Sequence, residues 1–124
     1  MAHQGNVQLM FVITATPDLV AEGDRIFDHH AVWMKSSHHR MGDKAMLIYD
    51  VSKVAELSNP LDSSSEPTGN THFILAEVYQ SEAGIADHFQ QAGDDWEEFE
   101  NFIKWLGACQ TTIIPSAPII HSLW

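Results

Sequence analysis

Apolar residues recur along this chain at two different spacings, and the change of spacing separates strands from helices. Residues 7–15 (VQLMFVITA) are almost all apolar and rich in β-branched and aromatic types, which is typical of a strand covered on both faces. From Pro17 to about His39 the apolar residues fall at helical spacing instead, after a Thr-Pro-Asp helix start. The pattern therefore predicts a first strand and a first helix, which Gly23 could divide into two.

A polar stretch separates the next two predicted strands. Residues 45–51 (AMLIYDV) and residues 72–80 (HFILAEVYQ) have the length and composition of strands. The segment 52–71 between them is rich in turn-forming residues, although Val54, Ala55 and Leu57 could form one short helical turn or extend the preceding strand. Because connections of this length are often functional, one interpretation of this segment is a lid or a partner-contact surface.

A second helical region begins at Ser81, a residue type that caps helix N-termini. Gly93 is expected to interrupt this helix, and a capping-box pattern at Asp94 is expected to restart it until Gly107. The predicted interior side of its first half consists of Ile85, His88, Phe89 and Ala92.

Two prolines divide the last apolar stretch of the chain. Pro115 and Pro118 cannot donate backbone hydrogen bonds, so this stretch is predicted to be an edge strand, a bulged strand or two short strands. The complete order is strand, helix, strand, strand, helix, strand. That order is typical of an α+β ferredoxin-like domain spanning residues 1–124, with a four-stranded antiparallel sheet and both helices on one face.

The opposite face of this sheet is also apolar, which predicts a second covering layer. A second copy of the same sheet, packed face to face, is the simplest layer, so we expect a homodimer formed by sheet-to-sheet packing.

The composition limits the classes of binding partner and the cellular compartment that we expect for this protein. Seventeen acidic and 6 basic residues give a net charge of −11, which argues against binding to nucleic acid or to anionic membrane surfaces. No apolar run is long enough to span a membrane. The one cysteine, Cys109, excludes an internal disulfide framework, and we expect a cytoplasmic protein.

A short motif resembles a known superfamily. The segment EVYQSEAGIADHF at residues 77–89 resembles the "E-x-Y … acid-Ala … His" run of antibiotic-biosynthesis-monooxygenase-like domains, which belong to the dimeric α+β barrel superfamily. The YCII-like group of the same superfamily is a second resemblance, because it shares the long connection between its second and third strands and an early-helix histidine.

The resemblance implies an apolar pocket between the sheet and the helices of each subunit. By position, His30 and His88 become candidate catalytic residues. The implied activity is a cofactor-independent monooxygenase or isomerase acting on an apolar aromatic or oxo-lipid-like compound. The alternative is a non-catalytic ligand-binding or stress-related barrel protein of unknown function. The candidate ligand-pocket residues are Phe11, Trp33, Met34, Ser37 and Phe89.

The two histidines allow a catalytic and a structural interpretation. A neutral imidazole of His88 in an apolar cavity could accept a proton from an acidic phenol or enol. The same side chain could instead be a core histidine, bonded to a backbone carbonyl or to Glu77. His30, Trp33 and Ser37 lie at spacings of three and four residues, which fits either a cavity lining or a core.

Eight histidines also raise the question of a metal site. The spacings H-x-x-x-H and H-E-x-x-H are absent from the sequence, so no local helical zinc site and no metal cofactor are predicted. Only the fold could assemble a site, from His30, His88 and Glu77. Cys109 has no basic neighbour, which favours a structural thiol over a nucleophile.

Overall fold

The computed structural model describes residues 2–124 and contains one antiparallel sheet with the strand order β2-β3-β1-β4. A single 3-10 turn, Pro17–Leu19, precedes the first helix. The strands and helices are β1 Val7–Ala15, α1 Val20–Ser37, β2 Met46–Leu57, β3 Pro67–Tyr79, α2 Glu82–Asp95, α3 Phe99–Ala108 and β4 Gln110–Pro118.

The core lies between one face of this sheet and the helices. Alternate residues of β1 are buried on that face, as expected for side chains that alternate across a strand. They pack against apolar side chains of the helices, such as Phe27, Phe102 and Trp105. This architecture is the ferredoxin-like α+β fold, so the predicted fold class is confirmed.

The connection between the second and third strands is much shorter than the predicted segment 52–71. β2 continues to Leu57 and β3 begins at Pro67, which leaves a loop of residues 58–66. Strand pairing extends into the polar sequence because it satisfies the backbone groups. Side-chain bonds add to it, since Glu56 Oε1 accepts from Thr68 Oγ1 and Asn70 Nδ2 at 2.8 and 3.1 Å.

Neither predicted helix break at a glycine occurs. α1 runs through Gly23, and α2 runs through Gly93 to Asp95 without a restart at Asp94. One glycine costs a helix only about 1 kcal/mol relative to alanine, which continuous backbone bonding and packing outweigh. α2 ends instead where Trp96 adopts an extended backbone conformation (φ −82°, ψ 112°) and becomes buried. A separate helix, α3, then begins at Phe99, so the predicted interruption and restart occur a few residues later than expected.

The last strand is a bulged edge strand, as the prolines predict. β4 pairs with β1 alone, and their register shifts between Gln8 and Met10. After Pro118 the chain leaves the sheet, and the terminal apolar side chains, including Leu123 and Trp124, are exposed. Among residues 2–124, every helix is too short or too polar to cross a membrane.

Candidate functional site

One charged side chain lies in the core, on the sheet face that packs against the helices. Glu77 is fully buried on β3, where it stands opposite Leu9 of β1 and Tyr49 of β2. His30 from α1 and His88 from α2 converge on it. One nitrogen of each imidazole and one carboxylate oxygen lie within 4.8 Å of one another.

Local sequence explains why α2 directs His88 inward. The Ser81 hydroxyl accepts a hydrogen bond from the Ala83 amide at 3.3 Å and so caps the helix. With the start fixed, Gly84, Ile85, His88 and Ala92 form the buried side of α2. This confirms the predicted interior side except at Phe89, which is 38% exposed.

The carboxyl group of Glu77 is only half satisfied by hydrogen bonds. The Tyr79 hydroxyl donates to Glu77 Oε1 at 2.5 Å, and His88 Nδ1 lies 4.0 Å from the same oxygen. Glu77 Oε2 is buried and has no hydrogen-bond partner in residues 2–124. Leaving such a group unpaired lowers the stability of a protein by about 1–3 kcal/mol. A ligand bound to this oxygen would remove that penalty.

Aromatic side chains surround His30. Its Nδ1 lies 2.7 Å from the Tyr49 hydroxyl oxygen. Its ring packs against Trp96 in a T-shaped arrangement, with the ring centroids 4.9 Å apart. Trp96 is itself fixed, because its Nε1 donates to His29 Nδ1 at 3.0 Å. These contacts hold the imidazole in one orientation, while its Nε2 has no hydrogen-bond partner in the described residues.

A chain of hydrogen bonds determines the tautomer of His88. Ser37 Oγ donates to the Trp33 carbonyl at 2.6 Å, so it can only accept from His38 Nδ1, 2.8 Å away. His38 Nε2 is then unprotonated and accepts from His88 Nδ1 at 2.8 Å. His88 therefore carries its proton on Nδ1 and keeps a lone pair on Nε2.

Burial keeps these imidazoles uncharged. Desolvation, reinforced by the neighbouring histidines, lowers the pKa of His30 to about 3. Desolvation and then His38 lower the pKa of His88 to about 3. Burial raises the pKa of Glu77 to about 7, against the opposing effect of the Tyr79 hydrogen bond. At neutral pH both imidazoles are therefore uncharged, and Nε2 of His88 is a hydrogen-bond acceptor.

Both histidines line an apolar cavity of about 170 Å³ between the sheet and the helices. Its remaining walls are almost entirely hydrocarbon and come from β1, β3, β4, α2 and α3. They consist of Phe11, Leu75, Phe89, Ala92, Trp96, Phe99, Phe102, Ile103, Leu106 and Ile113.

The predicted pocket residues separate into two groups. Phe11 and Phe89 line this cavity together with the histidines. Trp33 stacks on Trp96 behind the cavity wall, and Ser37 holds His38. Met34 faces a different depression. The roles of these residues in ligand binding remain predictions.

That second depression is larger, about 410 Å³, and it is bordered by Lys35 and Arg40. Surface cations form its polar rim. Its lining includes Tyr49, which bonds to His30, but it does not include His30, Glu77 or His88 themselves. The smaller cavity is therefore the better candidate site, because buried polar atoms of defined geometry adjoin it.

Three residues orient His30, Glu77 and His88, and the sequence pattern gave none of them this role. Tyr79 belongs to the E-x-Y run, and it follows Glu77 by two residues and so shares its strand face. Tyr49 needs the pairing register of β2 with β3. His38 needs the extended backbone at the end of α1 (φ −96°, ψ 148°), which lets its ring contact His88.

Comparison with known proteins supports the fold and leaves the activity open. No protein-family model matches this chain, and no match was found among curated proteins. The chain is similar to the crystal structure of a dimeric ferredoxin-like protein from an uncultured marine organism. The TM-score is 0.61 at 12% identity, over 95% of this chain and 99% of that chain. Similarity to the antibiotic-biosynthesis-monooxygenase-like group remains a prediction.

Proposed function

We propose that this protein binds a small apolar aromatic compound that carries one hydroxyl or carbonyl group. The observation that carries the proposal is a hydrocarbon cavity with two neutral imidazoles in its wall. A phenol ring would fill the apolar space, and its hydroxyl would donate to the free Nε2 of His88. Apolar walls with a few fixed polar groups are typical of ligand sites.

The volume of the cavity limits the size of this compound. A dry cavity of about 150 Å³ can hold a benzene molecule, and the cavity here measures about 170 Å³. A single-ring compound therefore fits, whereas a larger lipid-like molecule would have to extend past Ile103, which is 51% exposed at the cavity rim.

Binding of p-cresol, compared with toluene, tests the proposal. The two molecules differ by one hydroxyl group, so a site with imidazole acceptors should bind p-cresol more tightly, by about 10-fold for one hydrogen bond. Quenching of the tryptophan fluorescence, to which Trp96 in the cavity wall contributes, would report occupancy. Ile103→Trp should block the rim and abolish binding, whereas the exposed control Val32→Trp on α1 should bind normally. Equal affinity for both compounds would contradict the assigned role of the imidazoles.

A catalytic role is the second candidate, and the carboxyl of Glu77 beside two imidazoles favours it. Proton transfer, as in an isomerase, is the reaction for which this set supplies the groups, because a neutral imidazole and a carboxyl group can accept and donate protons. Hydrogen–deuterium exchange at the methyl group of acetophenone, followed by NMR, tests this role. The protein should accelerate exchange, and His88→Ala and His30→Ala should abolish the acceleration. A rate equal to that of buffer would eliminate this candidate.

We also propose that the chain forms a homodimer through the outer face of its sheet. The similar ferredoxin-like structure is described as dimeric. In this chain, the face turned away from the helices carries apolar side chains that a partner sheet could cover. They include Met10, Val12, Ile48, Ile74 and Ala76.

A further inference from the structure

Three buried side chains from three different elements form a compact set of metal-ligand types. His30, Glu77 and His88 are 2%, 0% and 5% exposed, and one potential ligand atom of each lies within 4.8 Å of the others. Two imidazoles and one carboxylate are the protein ligands of several catalytic zinc sites and of non-haem iron sites. The sequence spacing gives no sign of this set, because 11 residues or more separate its members along the chain.

Each of these side chains is held through one atom and keeps another atom free. Tyr49 holds His30 Nδ1, His38 holds His88 Nδ1, and Tyr79 holds Glu77 Oε1. The remaining atoms are Nε2 of each histidine and Oε2 of Glu77, which lack hydrogen-bond partners in residues 2–124. Metal ligands in proteins are characteristically oriented by such outer hydrogen bonds.

The buried carboxylate also lacks a positive partner. Among the described residues, no Lys or Arg forms an ion pair with Glu77, and the ring nitrogens near its carboxyl group belong to His30 and His88, the latter at 4.0 Å. A buried carboxylate is normally paired or bound to a metal. The unpartnered Oε2 of Glu77 is therefore an observation independent of the histidine positions, and a bound cation would satisfy this oxygen.

We propose that His30, Glu77 and His88 bind one divalent transition-metal ion, of which Zn²⁺ is the simplest probe, beside the apolar cavity. Ligand atoms about 2.0–2.2 Å from an ion lie about 3.5 Å apart in a tetrahedral site. One ligand atom of each residue already lies within 4.8 Å of the others, so binding requires the donors to approach one another by about 1 Å, with small adjustments of the outer hydrogen bonds.

This inference deepens the proposed function and rests on it only for the identity of the organic ligand. Three protein ligands leave a coordination position open to water or to the oxygen of a cavity-bound phenol or ketone. With the ion bound, His30 and His88 act as ligands, and the ion polarises the bound oxygen. Without the ion, Nε2 of His88 accepts the hydrogen bond.

Calorimetric titration of untagged, EDTA-treated protein with Zn²⁺ tests the site, and the visible spectrum with Co²⁺ reports the ligand geometry. We expect one ion per chain and a higher melting temperature in its presence. Glu77→Gln and His88→Ala should lose this binding. Tyr49→Phe removes only an outer hydrogen bond and should weaken Zn²⁺ binding by about 10- to 100-fold.

Exposed histidines provide the controls. His121→Ala and His39→Ala change exposed side chains and should bind Zn²⁺ as the wild type does. Circular dichroism identifies variants that fail to fold; Tyr49→Phe then still decides the question, since it keeps all three ligands. Failure of the wild type to bind Zn²⁺ and Co²⁺, or unchanged binding by folded Glu77→Gln, would overturn the proposal.

The same variants separate this inference from the proposed function. Ile103→Trp should bind Zn²⁺ normally while excluding p-cresol, and Glu77→Gln should lose Zn²⁺ while retaining the apolar cavity. Zn²⁺ binding without p-cresol binding would leave the metal site standing and remove the proposed ligand. The opposite result would remove the metal site alone.

Discussion

Glu77 and Tyr79 show at the residue scale how a buried polar pair depends on both of its members. The Tyr79 hydroxyl and the Glu77 carboxyl bond to each other at 2.5 Å in the core, and both residues are 0% exposed. Removing one of the two polar groups leaves the other buried without a hydrogen bond. Removing both groups leaves no unpaired polar atom of the pair. The cost of a substitution here therefore depends on which atoms remain.

This dependence predicts a non-additive result in metal-free protein. Tyr79→Phe should lower the free energy of unfolding by about 1–3 kcal/mol, because it leaves the buried Glu77 carboxyl without its one hydrogen bond. Adding Glu77→Met should restore most of that loss, because it removes the unpaired carboxyl. Urea denaturation of the single and double variants in EDTA measures the difference. Additive losses would show that the pair is not coupled.

At the scale of elements, α1 approaches the sheet and α3 closely at Gly23. A β-carbon at this position would lie 2.5 Å from Trp105 Cζ2 and 2.9 Å from Phe73 Cζ. Trp105 has little freedom to move, because its Nε1 donates to the Leu19 carbonyl at 2.9 Å. The absence of a side chain at residue 23 thus lets helix and aromatic rings pack together.

Gly23→Ala is therefore expected to destabilise the protein. Overpacking of about 1–3 kcal/mol should exceed the gain of about 1 kcal/mol in helix propensity. Gly93→Ala is the matched control, since Gly93 also lies within a helix but has no atom within 4 Å of the added carbon. It should be neutral or stabilising by thermal unfolding. Equal effects of the two substitutions would disprove the close packing at Gly23.

An ion pair also connects the helices. Arg25 of α1 donates to Glu98, which precedes α3, at 2.9 Å, and this bond together with Asn101 lowers the pKa of Glu98 to about 2. A carboxyl whose pKa is lowered by folding stabilises the protein above its ordinary pKa of 4.5, and the contribution disappears as the pH falls through about 2.

Glu98→Gln should therefore melt at a lower temperature than the wild type at pH 7, and the difference should shrink between pH 4.5 and 2. Because the pair is exposed to solvent, added salt should reduce the difference as well. Glu100→Gln, which changes an exposed acid of α3, serves as the control and should show no such pH dependence. A difference that persists at pH 2 would contradict the ionic origin of the effect.

For the whole molecule, the proposed dimer makes a prediction that light scattering can check. Ile74 pairs with Val12 and Ser52 at the centre of the outer sheet face, where Ile74→Lys would bury a charge in a sheet-to-sheet interface. This variant should be monomeric. Val32→Lys, on the exposed side of α1, should remain dimeric. A dimeric Ile74→Lys protein would place the interface elsewhere.

Local pattern alone was sufficient to predict the order of the elements and the fold. The spacing of apolar residues reports which side of a strand or helix is buried, and Ser81 and the prolines of β4 act through their own backbone geometry. The same local rules were wrong at Gly93 and over residues 52–71. At these places backbone pairing and packing across the fold outweighed weak local preferences.

The sequence by itself thus determined a ferredoxin-like chain with inward-facing histidines at positions 30 and 88. Only the tertiary structure decided that Glu77 lies between them, that Tyr49, Tyr79 and His38 orient all three, and that a cavity adjoins them. The physical reason is that hydrogen bonding and metal coordination require atoms within a few ångströms of one another. Such distances depend on strand register and helix packing, which no local pattern in a single sequence records.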